Sequence, residues 1–176
     1  DVMDLRDPAR PRKIFEIPAA AQLGGGVNHV DVHGDVVAVS ASGTPQTDPG
    51  RVGFYDPDGR LRASVTVGPR PDVVAFSPDG GVLVSANEGT PSDDYAVDPE
   101  TSVSIVDLGG GLDGLDQSDV RTARFDGYPG GRLPAGMQPG RPESSDAQNL
   151  ELGYVTIAPD GRTAWLTAQE SNGLAA

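Results

Sequence analysis

Short apolar runs broken by turn residues recur along this chain, and one stretch carries the full pattern. Asp72–Ser77 (DVVAFS) is followed by the turn Pro78-Asp79-Gly80-Gly81 and a second run, Val82–Ala86 (VLVSA). A long acidic loop, Asn87–Glu100, leads to Ser102–Asp107 (SVSIVD), and a Gly/Asp-rich loop leads to Val120–Phe125 (VRTARF). Four alternating runs joined by turns predict one four-stranded antiparallel sheet of the kind that forms a propeller blade.

The other segments read as partial or looser copies. Val2–Leu5 and Lys13–Ile17 predict two strands, the last two of a blade, joined by the Pro-rich turn at residues 7–12. Ala19–Gly26 (AAAQLGGG) is expected as a crossing loop; its glycines lack the Gly-Lys-Ser/Thr continuation of a phosphate loop. His29–Val32, Val36–Ala41, Arg51–Asp56 and Arg60–Val67 predict a second complete unit, with Pro57-Asp58-Gly59 as a hairpin signal. Tyr154–Ala158, Pro159-Asp160-Gly161 and Thr163–Thr167 repeat Val73–Ser85, with Asp160 standing 81 residues after Asp79 (160 − 79).

The fold class that follows is all-β: a β-propeller arc of about three to four four-stranded blades, with no helical apolar stripe of ten or more residues. Its divisions are 1–18 (end of a blade), 28–68 (blade), 71–125 (blade), 126–150 (Gly/Pro-rich loop) and 151–176 (start of a blade). Repeat units bury their faces against neighbours. The remaining blades are therefore expected from chain beyond this stretch or from another copy.

Composition narrows the partners. Twenty-six acids against thirteen bases give a net charge of −13, which argues against a nucleic-acid partner. Cysteine is absent, so disulfides, thiolate metal sites and a cysteine nucleophile are excluded. No apolar run approaches membrane-spanning length, and no signal peptide opens the chain.

The candidate chemistry lies in carboxylates. Glu88, Asp93, Asp94, Asp98 and Glu100 crowd the acidic loop, with Asn87 and loop carbonyls beside them. That donor set suits a hard cation such as Ca²⁺, or another divalent metal, although the spacing is not that of an EF-hand. Asp72 and Glu151 open first, channel-lining strands, while Glu88 and Glu170 follow second strands, so these four are candidate channel-face acids. His29 and His33 share one face of a strand and read as ordinary strand residues. Arg132 and Arg141 are candidates for holding a phosphate. Ser144-Ser145-Asp146 has no histidine partner and gives no triad, and Tyr154 and Trp165 are expected in the core between blades.

The wording of Val67–Gly80, Ala86–Glu100, Ser102–Asp107, Ala147–Tyr154 and Thr163–Asn172 resembles the bacterial choice-of-anchor I propeller family. Its members include proteins named alkaline phosphatases and relatives of mesenchyme-specific cell-surface glycoproteins. The resemblance implies a secreted or surface-anchored protein, a parent propeller of seven blades, and a cell-surface ligand or small phosphoester as partner. Two function classes follow: a Ca²⁺-stabilised binding scaffold, or a metal-dependent phosphomonoesterase whose carboxylate-held metal polarises the phosphoryl oxygen and delivers hydroxide. The chain departs from the family at Asn149-Leu-Glu-Leu-Gly-Tyr154, where Asp-Leu-Glu-Pro-Glu-Tyr is expected, so one acid becomes an amide and another is lost at Gly153.

Overall fold

The computed structural model describes residues 1–125, 136–138 and 140–176. Its strands are β1 (Val2–Asp4), β2 (Arg12–Phe15), β3 (Val27–His33), β4 (Val36–Ala41), β5 (Pro49–Tyr55), β6 (Leu61–Pro69) and β7 (Pro71–Phe76). They continue as β8 (Val82–Asn87), β9 (Ser102–Asp107), β10 (Val120–Arg124), β11 (Leu152–Ile157), β12 (Ala164–Ala168) and β13 (Gly173–Ala175), with short helices α1 (Ala19–Leu23) and α2 (Asp146–Asn149).

Among the described residues these strands form four antiparallel sheets, ordered β1-β2, β3-β4-β5-β6, β7-β8-β9-β10 and β11-β12-β13. The first strands are neighbours across sheets, because β7 packs against β3 on one side and β11 on the other. That arrangement is consistent with propeller blades standing around an inner wall of first strands.

One register recurs in every described blade. Val27 opposes Ala41, Pro71 opposes Asn87 and Leu152 opposes Ala168, and in each case one extra residue follows before pairing resumes. Asn28, Asp72 and Gly153 are those bulged residues. Asn28 uses its place to donate from Nδ2 to the Pro71 carbonyl at 3.0 Å, and further along β3 Asp31 Oδ2 accepts from the Phe76 N–H at 2.8 Å. These bonds stitch the first strands of two blades together.

Apolar faces fill the spaces between sheets. Ala38, Val52, Phe54 and Val65 pack with Val74, Leu83 and Val106. On the other side of the third sheet, Val73, Val84, Ala86 and Val103 pack with Leu152, Val155, Leu166 and Ala168. Ala19 and Leu23 of α1 cover Val39, Ala41 and Tyr55.

Two expectations are corrected. Residues 19–23 are helical rather than a crossing loop, because Ala-Ala-Ala-Gln-Leu is rich in strong helix formers. Gly24, at φ +82°, ends the turn with its N–H on the Ala20 carbonyl. Tyr154 and Trp165 are about half exposed rather than core, because they point to the side of β11-β12-β13 that no other sheet among the described residues covers.

Candidate functional site

The loops leaving second strands project from one rim of the arc. The β4–β5 connection (42–48) and the β8–β9 connection (88–101) lie side by side there, and Gln46 Nε2 reaches the Pro91 carbonyl at 3.4 Å. A recess of about 520 Å³ opens between them, lined by Gly43, Thr44, Pro45, Gln46, Thr47, Ser92 and Asp93.

Arg70 anchors this rim. It precedes β7 in a left-handed conformation (φ +46°), and its Nη1 donates to Gln46 Oε1 at 3.2 Å. Its Nε lies 2.6 Å from Glu88 Oε2. Neither atom has an aligned hydrogen-bond partner, so the pair is a charge contact between two partly buried side chains.

Glu151 precedes β11 at the same rim, also left-handed (φ +43°). Burial pushes its carboxyl above the ordinary glutamate value of 4.5; the charges of Glu88, Glu170 and Asp98 push the same way, and Arg70 partly opposes them. The structure thus brings Glu88, Glu151 and Glu170 into one electrostatic field, together with Asp98. Asp72 is half-buried on β7 and is not among the charges acting on Glu151.

The acidic loop is tied down through its own carboxylates. Asp94 Oδ1 accepts from Ser92 Oγ at 2.8 Å and the Ala96 N–H at 3.1 Å, with the backbone bond first in holding its carboxyl below the usual aspartate range. Asp98 Oδ2 accepts from Ser144 Oγ at 2.8 Å, and Glu100 Oε1 from Ser145 Oγ at 3.2 Å. Gln148 Nε2 donates to the Asp98 carbonyl at 2.6 Å, and the Arg141 guanidinium stacks 3.8 Å above the Tyr95 ring centroid. Asp93 is exposed at the recess.

These contacts bear on a metal. Glu88 faces Arg70, Asp94 its own turn, and Asp98 and Glu100 the two serines, so four of the five loop acids point to different partners, and Asp93 is exposed. Among the described residues no three His, Asp or Glu side chains form a group that could hold a metal ion. Asn87 ends β8 fully buried, with its amide taken up by Ser85, Ser102 and Ser104.

The remaining candidates fall elsewhere. His33 lies across the sheet gap, Nε2 3.2 Å from the Pro78 carbonyl and its ring against Gly80, where a Cβ would stand 2.2 Å from the imidazole. His29 is half-buried on the same strand face. Ser145 caps α2 from its Oγ to the Gln148 N–H at 3.2 Å, and Arg132 lies outside the described residues. Asn149 donates from Nδ2 to the Arg141 and Ser144 carbonyls at 3.2 and 3.4 Å, two bonds an aspartate could not donate. A side chain at Gly153 would meet the amide of Gln169.

Sequence reasoning missed Arg70, Gln46 and the serines that hold the loop. Arg70 had a signal in hindsight: it stands 81 residues before Glu151 (151 − 70), the spacing of the Pro-Asp-Gly repeat.

The family model for the choice-of-anchor I domain matches residues 1–176, and the chain belongs to that family. No curated protein matches the chain.

Proposed function

We propose that this choice-of-anchor I chain is a binding scaffold displayed outside the cytoplasm, secreted or anchored at the cell surface. Its binding face is the rim built by residues 42–48, 88–101, 151 and 169–172, and its ligand is a positively charged group on a surface partner. The observation that carries this reading is the field at Glu151, whose carboxyl is raised by burial and by Glu88, Glu170 and Asp98. A cation placed there would relieve that repulsion, as Arg70 does in part.

A phosphomonoesterase would need a cation open to phosphate beside a metal or nucleophile. Arg70 faces Glu88 and Arg141 faces Tyr95, so the geometry favours binding over phosphoryl chemistry. Calcium enters only as a probe, because the loop acids would have to leave their present partners to gather around it.

Calorimetric titration with a hexalysine peptide at low salt tests the reading. Glu151→Gln with Glu170→Gln should weaken binding on the order of fivefold to tenfold, near the ~1 kcal/mol of a close pair in high dielectric. The same charge removed from the opposite rim, Asp35→Asn with Asp58→Asn, should leave binding unchanged. Equal losses in both double variants would mean that the peptide reads only the chain's total charge.

A further inference from the structure

Two recesses adjoin across the β4–β5 connection. The larger, of about 520 Å³, opens between residues 42–48 and the β8–β9 loop. The smaller, of about 400 Å³, opens between residues 42–48, the start of β5 and α1. Gly43 and Thr44 line both, so the two share one wall. Both volumes fall in the range of small-molecule sites, about 300–1,000 Å³.

The walls are held by their own bonds. The Ser42 N–H donates to the Gly26 carbonyl at 2.8 Å, Thr44 Oγ1 to the Gly24 carbonyl at 3.1 Å, and the Asp48 N–H to the Pro45 carbonyl at 3.0 Å. Across the larger recess, the Ser92 N–H donates to the Val97 carbonyl and the Tyr95 N–H to the Ser92 carbonyl, both at 2.8 Å. These bonds leave particular side chains over. Among the described residues, Thr47 and Asp93 in the larger recess make no side-chain hydrogen bond or ion pair. The same holds for Gln22, Asp48 and Arg51 in the smaller one. Each recess therefore presents one unpaired carboxylate beside polar groups that have no partner.

We propose that the paired recesses hold an amino-sugar oligomer, one ring in each. The inference rests on the rim reading above and names the chemistry of its partner. A repeating unit that carries one ammonium matches a repeating recess that carries one carboxylate, through charge-assisted bonds to Asp48 and Asp93. Ring hydroxyls both donate and accept, so they suit the Thr47 hydroxyl, the Gln22 amide and the Arg51 guanidinium. A lysine side chain would use the carboxylates and leave those groups unmatched. An anionic glycan would meet a chain of net charge −13. An extended peptide finds no strand edge to extend, because β5 is already paired with β4 and β6.

Calorimetric titration of the whole chain with a β-linked glucosamine tetramer, at mildly acidic pH where its amines are charged, tests this. The fully N-acetylated tetramer and hexalysine serve as the two comparison probes. The glucosamine tetramer should bind, and its N-acetylated counterpart should bind more weakly, on the order of fivefold or more. Asp48→Asn and Asp93→Asn, both at exposed positions, should each weaken the glucosamine tetramer by about fivefold with an unchanged circular dichroism spectrum. Thr47→Val should weaken the tetramer and leave hexalysine unaffected. If Thr47→Val does not fold, Gln22→Ala on the exposed side of α1 serves in its place. Binding of hexalysine without the tetramer would overturn the amino-sugar assignment and leave the rim reading standing. An equal loss of the tetramer in Asp35→Asn with Asp58→Asn would overturn the assignment too, because the chain's total charge would then account for binding. Binding of neither probe would overturn both.

Discussion

Arg70 and Glu151 occupy one position in two successive blades. Each immediately precedes a first strand, and each holds a left-handed backbone, at φ +46° and +43°. Their charges are opposite, and so are their circumstances: Arg70 meets Glu88 at 2.6 Å, whereas Glu151 meets repulsion.

Glu151 therefore carries two separable costs. Glu151→Gly should relieve the left-handed backbone, worth roughly 1 kcal/mol, and the charge repulsion together. Glu151→Gln should relieve only the repulsion. Chemical denaturation at neutral pH should rank Gly above Gln above wild type, and an order with wild type first would contradict the backbone and charge assignments.

Asp79 and Glu151 give opposite pH signs. Asp79 Oδ1 accepts from Ser77 Oγ at 2.6 Å and from the Gly81 N–H at 3.0 Å, and these bonds hold its carboxyl below the ordinary 3.8. Its contribution is present above the unfolded value and is lost as pH falls through the lower folded value. Glu151 titrates higher when folded, so its ionisation removes stability as pH rises from 4.5 through the raised value. In melts from pH 3 to 7, Asp79→Asn should destabilise only at the upper end. Glu151→Gln should stabilise only there.

Asn87 joins sheet and loop. Its Nδ2 donates to Ser102 Oγ at 3.1 Å and Ser104 Oγ at 2.9 Å, its Oδ1 accepts from Ser85 at 2.9 Å, and its carbonyl accepts from Thr101 Oγ1 at 2.8 Å. All five residues are buried. Asn87→Ala should cost about 2–4 kcal/mol, because it strands buried hydroxyls without partners. A loss under 1 kcal/mol in urea denaturation would contradict this network.

The blades were legible in the sequence because their signals are local. Alternation at Ser102–Asp107 and turn chemistry at Pro78–Gly81 act over a few residues, and β4 and β9 fall where the pattern puts them. The helix at 19–23 was not legible, being too short to show a period. The places of Glu88 and Glu151 beside strand ends were legible. Their partners were not, because Arg70–Gln46 and Asp98–Ser144 join residues distant in sequence through tertiary packing.

Calcium gives a further test of the loop. With Asp94, Asp98 and Glu100 engaged by Ser92, Ser144 and Ser145, millimolar Ca²⁺ should leave the melting temperature of chelator-treated protein unchanged. A rise of several degrees, abolished by Asp93→Ala with Asp94→Ala, would show that the loop rearranges around the ion.

The most direct measurement is an NMR titration of the Glu151 side-chain carboxyl carbon. The account predicts a midpoint above the ordinary glutamate value of 4.5, moving down in Glu170→Gln as one repelling charge is removed. A midpoint at the ordinary value, unmoved by that substitution, would mean that the rim acids do not share one field, and the proposed binding face would lose its basis.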